Sequence, residues 1–174
     1  REEAGIVELV VKAMFNQALA DGQQGDTEQE LTLYQTLIDC FQSREETSII
    51  ELVAKAMYNQ AVTYDQQGDT KQALALYQTL IDCYQSREET GIVEQVAEAM
   101  FNQALTHGQQ GDTKQALERY QTLIARFQSR KETGIVELVA KAMYNQAVTY
   151  GQQCNTKQAL ALYQTLIDCY QSRE

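Results

Sequence analysis

Apolar side chains recur at three- and four-residue spacing along two neighbouring segments of the chain, which polar residues and Gly68 separate. The apolar positions of the first segment are Ile50, Val53, Ala54, Met57, Ala61 and Tyr64, and those of the second are Ala73, Leu74, Tyr77, Leu80, Ile81 and Tyr84. This spacing places each set on one side of a helix. No segment shows the alternation of a strand. The pattern therefore predicts an antiparallel helical hairpin with a very short turn.

The hairpin recurs every 43 residues. Met14, Met57, Met100 and Met143 each begin an aromatic-Asn-Gln-Ala run. One array over 1–174 is thus divided into four repeats, 2–44, 45–87, 88–130 and 131–173, and repeats 2 and 4 are identical at 37 of 43 positions. The predicted helices lie near 4–23, 27–43, 48–66, 70–86, 91–109, 113–129, 134–152 and 156–172. Because one hairpin cannot bury both of its apolar faces, the repeats must stack on each other as an all-α solenoid.

Cap and turn residues mark the helix ends. Thr47, Thr90 and Thr133 precede first helices and are expected to be N-caps. Asp69 with Gln72 forms a capping-box pattern at the start of a second helix. The equivalent pairs are Asp26/Gln29, Asp112/Gln115 and Asn155/Gln158. Gly68 suits the left-handed backbone that ends a helix.

One set of positions carries a family resemblance: Met57, Gln60, Ala61, Tyr64, Gly68, Asp69, Ala73, Tyr77 and Leu80. They resemble the tetratricopeptide repeat (TPR), and the 43-residue length is similar to its long-helix variants, such as the kinesin light chain type. The usual repeat has about 34 residues. The chain also lacks the closing Pro, and Asp21 and Glu30 depart from the pattern. The resemblance implies a right-handed superhelical solenoid of four antiparallel hairpins, whose concave face is lined mainly by first helices and often binds peptides.

Charge and composition exclude several classes of function. The net charge of −10 disfavours nucleic-acid binding and attachment to an anionic membrane surface. Acidity declines along the chain, from −6 in repeat 1 to +1 in repeat 4. Cys40, Cys83 and Cys169 share one repeat position and are expected to be small buried hydrophobic residues, whereas Cys154 at a turn is expected to be exposed. Free thiols fit an intracellular, cytoplasmic location.

No catalytic constellation stands out. His107 is the only histidine, and no Cys-x2-Cys or His-x3-His spacing accompanies it. The serines near the ends of second helices are repeat copies, and one Gly per turn cannot cradle a phosphate chain. We expect a protein that is not an enzyme, with no catalytic residue, no metal site and no cofactor.

The best candidate for a binding site is a polar stripe on the first helices. It contains Lys12, Phe15, Asn16, Lys55, Tyr58, Asn59, Phe101, Asn102, Lys141, Tyr144 and Asn145. The resemblance implies that these positions face the concave groove, where Asn can pair with a peptide backbone and Lys with carboxylates. The arrangement is similar to the carboxylate clamp of co-chaperone TPR domains, although Glu98 interrupts it. Alternatively, Asn only bridges adjacent helices.

Two functions remain open at this point. The leading hypothesis is a scaffold that binds a protein or extended peptide on the concave face. The alternative is an architectural or self-associating segment of a larger sensor protein. Weak head-to-tail self-association is expected because the stripe of Leu160, Tyr163, Ile167 and Tyr170 is predicted to be uncovered, as are Ile6, Val10 and Val11.

Overall fold

The computed structural model describes residues 2–171, and the side chains of residues 5–171 within that range. These residues form eight α-helices and contain no strand. The helices are α1 (Glu2–Gln24), α2 (Thr27–Phe41), α3 (Thr47–Gln66), α4 (Thr70–Tyr84), α5 (Thr90–Gln109), α6 (Thr113–Phe127), α7 (Thr133–Gln152) and α8 (Thr156–Tyr170). The predicted helices are confirmed, each with its ends within two residues. The second helices end two residues early, because the apolar stripe stops before the polar Gln-Ser-Arg stretch.

Three of the four second helices, α2, α4 and α6, begin with the predicted aspartate cap. The carboxylates of Asp26, Asp69 and Asp112 accept a hydrogen bond from the backbone N–H three residues on. Gln72 also donates from Nε2 to Asp69 Oδ2 at 2.7 Å. Asn155 makes no such backbone bond and donates instead to Gln158.

The predicted threonine N-caps are wrong. Thr47, Thr90 and Thr133 are the first residues inside their helices, and the N-caps of α3 and α7 are Glu46 and Glu132, which make no side-chain cap bond. Their carboxylates pair instead with an arginine two residues earlier, Arg44 at 2.5 Å and Arg130 at 3.0 Å. These ion pairs therefore lie just before α3 and α7 and involve their N-cap residues.

Glycine ends three of the first helices. Gly25, Gly68 and Gly111 have φ between +81° and +85°, the left-handed region that costs glycine nothing. Cys154 takes the same place in repeat 4 with φ +60°, at a steric cost that Gly does not have.

The helices assemble into two compact units, one up to Val96 and one from Ala97 onward. In the first unit α1 packs on α2, α2 on α3, and α3 on α4. Its core includes the fully buried Tyr34, Leu37, Val53, Tyr77 and Leu80. In the second unit α7 packs on both α6 and α8, around Ala116, Tyr120, Leu123, Ile135 and Val139.

The expected burial of three cysteines is wrong. Cys40, Cys83 and Cys169 are exposed, as is Cys154, and all four thiols are free. Cys83 lies two residues after the buried Ile81 and therefore on the outer side of α4. Arg126 occupies the equivalent position in repeat 3, a sign that this position faces solvent.

Candidate functional site

An asparagine of one repeat is bonded to a tyrosine of the repeat before it. Asn59 on α3 donates from Nδ2 to Tyr34 Oη on α2 at 3.1 Å, and Asn145 on α7 donates to Tyr120 Oη on α6 at 3.4 Å. Burial raises the pKa of Tyr34 to about 12, against the opposing effect of the Asn59 bond. The hydroxyl therefore stays protonated at neutral pH. These bonds join adjacent helices, as expected under the alternative in which the asparagines have a structural role.

The aromatic residue before each asparagine packs on the tyrosine of its own hairpin. The pairs are Phe15–Tyr34, Tyr58–Tyr77, Phe101–Tyr120 and Tyr144–Tyr163, with ring centroids 5.9–6.2 Å apart and tilted planes. Tilted contacts at this distance are favourable for aromatic rings. Tyr34 is thus held by Phe15 from its own repeat and by Asn59 from the next.

Each compact unit has a cleft, here called a first-helix cleft, that lies beside Asn59 in the first unit and beside Asn145 in the second. In the first unit the cleft has a volume of about 190 Å³ and is lined by Leu19, Glu30, Tyr34, Asn59, Val62, Thr63 and Gln66. In the second unit it has about 240 Å³ and is lined by Leu105, Gly108, Gln109, Thr113, Tyr120, Asn145, Val148, Thr149 and Gln152. Six members of the first set recur in the second, 86 residues later. The cleft is therefore a property of the repeat.

The predicted lysines lie one helical turn before the asparagines, and neither first-helix cleft has a lysine in its described lining. Lys12 is paired with Glu8 at 2.6 Å on the surface, Lys55 is half-buried and Lys141 is exposed. The structure thus brings Asn59 and Asn145 together with the aromatic–tyrosine pairs, and the lysines are not among the described lining residues of either cleft. Asn16 is exposed, and Asn102 is half-buried.

Sequence reasoning missed the residues that continue the stripe toward the end of each first helix. Val62 and Gln66 follow Asn59 by three and seven positions, and both line the cleft. The spacing 55–59–62–66 is that of a single helix face, so the pattern contained the signal. Val148 and Gln152 are their equivalents in the second unit.

The two clefts differ in charge. Glu30, which is nine-tenths buried, lies in the lining of the first, where the repeat-equivalent residue of the second unit is Ala116. Burial raises the pKa of the Glu30 carboxyl, and the nearby charge of Asp21 adds to this, while a hydrogen bond from Thr63 opposes it. The first cleft is therefore the acidic one.

The part of the chain that the structure describes holds no group of three or more His, Cys, Asp or Glu side chains placed to bind a metal ion. Nor does it contain a helix whose length and hydropathy would let it cross a membrane.

Family models match most of the chain. One tetratricopeptide repeat model matches residues 101–174, and another matches residues 12–39 and 55–84. The chain belongs to the tetratricopeptide repeat family. TPR repeats are generally scaffolds for protein interaction and are typically non-catalytic.

A solved structure shares the fold. The chain is similar to BtubC (BKLC) from P. vanneervenii, with a TM-score of 0.74 and 20% identity over 97% of this chain and 65% of that one. The present chain thus spans about two thirds of that protein's length, and the likeness shows the fold alone. A structure described as the DHF46 filament matches with a TM-score of 0.45 and 13% identity, over 93% of this chain and 96% of that one. No curated protein matches the sequence.

Proposed function

We propose that the chain is a protein-binding TPR scaffold that holds an extended peptide along the face of its first helices. The observation that carries this proposal is the first-helix cleft, which recurs in both compact units with the same Asn, Tyr, Leu, Val, Thr and Gln positions. Because the same amide and apolar side chains line each cleft, each can hold the same kind of ligand, a short stretch of extended polypeptide.

The cleft offers the chemistry that a peptide needs. A carboxamide has two N–H groups and a carbonyl oxygen, so Asn59 can bond Tyr34 and still pair with a peptide backbone. Leu19 and Val62 supply apolar contact beside it. In this proposal Lys12, Lys55 and Lys141, one helical turn before the asparagine positions, hold carboxylates of the peptide. The four free thiols favour a reducing, intracellular setting.

The test is a selection of binders followed by a comparison of two matched variants. Random extended peptides are displayed and selected on the unmodified chain, and the affinity of an enriched peptide is measured by fluorescence anisotropy. The cleft variant carries Val62→Arg and Val148→Arg, which fill both clefts with a cation. The control carries Cys83→Arg and Cys169→Arg, at exposed positions where repeat 3 already has Arg126.

The cleft variant should bind the selected peptide at least tenfold more weakly, and the control should stay within about twofold, since each lost hydrogen bond or apolar contact contributes about 1 kcal/mol. Far-UV circular dichroism must show equal helix content in both variants. Equal binding by the two variants would contradict a peptide site in the first-helix clefts.

A further inference from the structure

The outer face of α8 repeats a surface that is covered elsewhere in the molecule. α8 and α4 have the same fifteen-residue sequence. Ile167 on α8 is 50% exposed, although its equivalent on α2, Ile38, is only 5% exposed in the unit where α3 packs on α2. Leu160 is 63% exposed as well. The predicted uncovering of this face is confirmed for these two residues, while Tyr163 and Tyr170 are half-buried.

The outer face of α1 is also exposed, at positions whose equivalents on other first helices are buried. Ile6 is 62% exposed, whereas its equivalents Ile49 on α3 and Ile135 on α7 are buried. Val10 is 45% exposed, and its equivalent Val53 is fully buried. Val11 was expected to be uncovered with them, and this is wrong, because Val11 is buried in its own compact unit.

We infer that a second copy of this chain covers these faces. In this contact α1 of one copy packs on α8 of another, as α3 packs on α2 and α7 on α6 within the chain. The two internal junctions are therefore the templates for the contacts between copies. Asn16 would donate to Tyr163 Oη of the other copy, as Asn59 does to Tyr34 and Asn145 to Tyr120. Tyr163 is already held in place by Tyr144, at 6.0 Å between ring centroids.

A second polar contact between copies would join Gln17 on α1 to Gln164 on α8. Within the chain, Gln35 donates from Nε2 to Asp39 at 2.9 Å and accepts at Oε1 from Gln60 at 3.1 Å. Gln164 donates in the same way to Asp168 at 2.8 Å, so its Oε1 is oriented to accept from Gln17 of another copy. Gln17 and Gln164 are both exposed.

Charge favours the same pairing. Repeat 1, which presents α1, has a net charge of −6, and repeat 4, which presents α8, has +1. Opposite net charges on the two repeats assist encounter between them and disfavour contacts between two copies of repeat 1. The contact is heterologous, so each added copy leaves one free α1 and one free α8 and the assembly can grow. Two separate copies lose translational and rotational freedom when they associate, whereas repeats within one chain are already joined. Association between copies should therefore be weak.

The test uses two variants that each block one face. Ile6→Glu with Val10→Glu blocks α1, and Leu160→Glu with Ile167→Glu blocks α8; all four positions are already exposed, so charge there should leave the fold intact. Mass is measured by sedimentation and light scattering up to about 1 mM protein. The unmodified chain should grow beyond a dimer with concentration, and each blocked variant should remain monomeric.

An equal mixture of the two blocked variants is the decisive sample. The α1-blocked variant keeps its α8 face and the α8-blocked variant keeps its α1 face, so the mixture should form a one-to-one dimer and nothing larger. Dimerisation of the α1-blocked variant alone would overturn the inference in favour of a symmetric α8 contact. A monomeric unmodified chain at about 1 mM would also overturn it and leave these faces to another occupant, such as a further repeat or a different protein.

Tyr163→Phe refines the same experiment without adding charge. It removes only the hydroxyl that Asn16 would bond, and should weaken association about fivefold, as expected for one hydrogen bond. Tyr58→Phe is the control, since Tyr58 lies on a first helix away from the proposed contact. Association unchanged by Tyr163→Phe would exclude the proposed register.

Discussion

The carboxylate of Glu30 on α2 lies directly against Gly22 on α1. A Cβ on residue 22 would lie 2.6 Å from Glu30 Cδ and 2.7 Å from each carboxylate oxygen, which is closer than real Cβ contacts. In repeat 3 the equivalent pair is Gly108 and Ala116, and there a Cβ would lie 3.7 Å from the alanine Cβ, an ordinary contact. An alanine at position 22 would therefore force the buried Glu30 side chain to shift, whereas an alanine at position 108 would fit without such a shift.

Gly22→Ala should be destabilising relative to Gly108→Ala. Alanine favours a helix over glycine by about 1 kcal/mol, and this gain should appear at position 108. At position 22 the displaced Glu30 carboxylate should cancel it at a cost of about 1–3 kcal/mol. Urea denaturation of both variants measures the difference. In a Glu30→Ala background, Gly22→Ala should become stabilising, and an unchanged effect there would contradict the contact.

Glu30→Gln should stabilise the protein at pH 7 on the order of 1 kcal/mol, because a buried charge is replaced by a neutral group. Burial raises the pKa of Glu30 in the folded state above its unfolded value. Protonated Glu30 therefore contributes to stability at pH values below the pKa that this carboxyl has in the unfolded chain. That contribution is lost as the pH rises through the higher pKa that the carboxyl has in the folded protein. The advantage of the variant should grow between pH 4 and pH 7. Glu28→Gln on the exposed side of α2 is the control for the substitution itself.

The helices were predictable because their apolar spacing is regular and repeated four times. The Asp caps were also predictable, since they depend on residues three positions apart. The threonine caps failed because α3 and α7 begin one residue earlier than the apolar spacing indicated, so that Glu46 and Glu132 are the N-caps. The cysteine prediction failed because a small apolar side chain does not by itself indicate a buried position. Arg126, at the equivalent position of repeat 3, indicates that this side of the helix faces solvent.

The candidate site was predictable only in part. Asn59 could be recognised by its repetition, but its bond to Tyr34 joins residues 25 positions apart on different helices. Such a contact depends on how the second helix of one repeat packs on the first helix of the next. The acidic character of the first cleft depends on the same packing, which buries Glu30 between α1 and α3. The role of the lysine and asparagine stripe in peptide binding stays a prediction.

Cys154→Gly should stabilise the protein by about 1 kcal/mol. Cys154 has φ +60°, and an L-residue there carries a steric cost of roughly 1–2 kcal/mol that glycine lacks. Part of the gain is offset by the greater backbone entropy of glycine in the unfolded chain. Cys154→Ala separates the backbone effect from the loss of the thiol, and should be nearly neutral because it keeps the Cβ. Thermal denaturation in reducing buffer checks both variants, and equal stabilisation by Ala and Gly would rule out the backbone explanation.

Tyr34→Phe should cost about 1 kcal/mol, because it removes the acceptor that Asn59 bonds at 3.1 Å in a partly buried setting. Tyr120→Phe should cost less, because the Asn145 bond is 3.4 Å long and close to the limit for a hydrogen bond. Tyr163→Phe at low protein concentration serves as the matched control on α8 and should cost least, since its half-buried ring keeps the contact with Tyr144 after the hydroxyl is lost. Urea denaturation at micromolar protein, where copies stay apart, gives the three values. The order Tyr34, Tyr120, Tyr163 is the expected result, and equal losses at all three positions would show that the hydroxyls contribute through solvation rather than through asparagine.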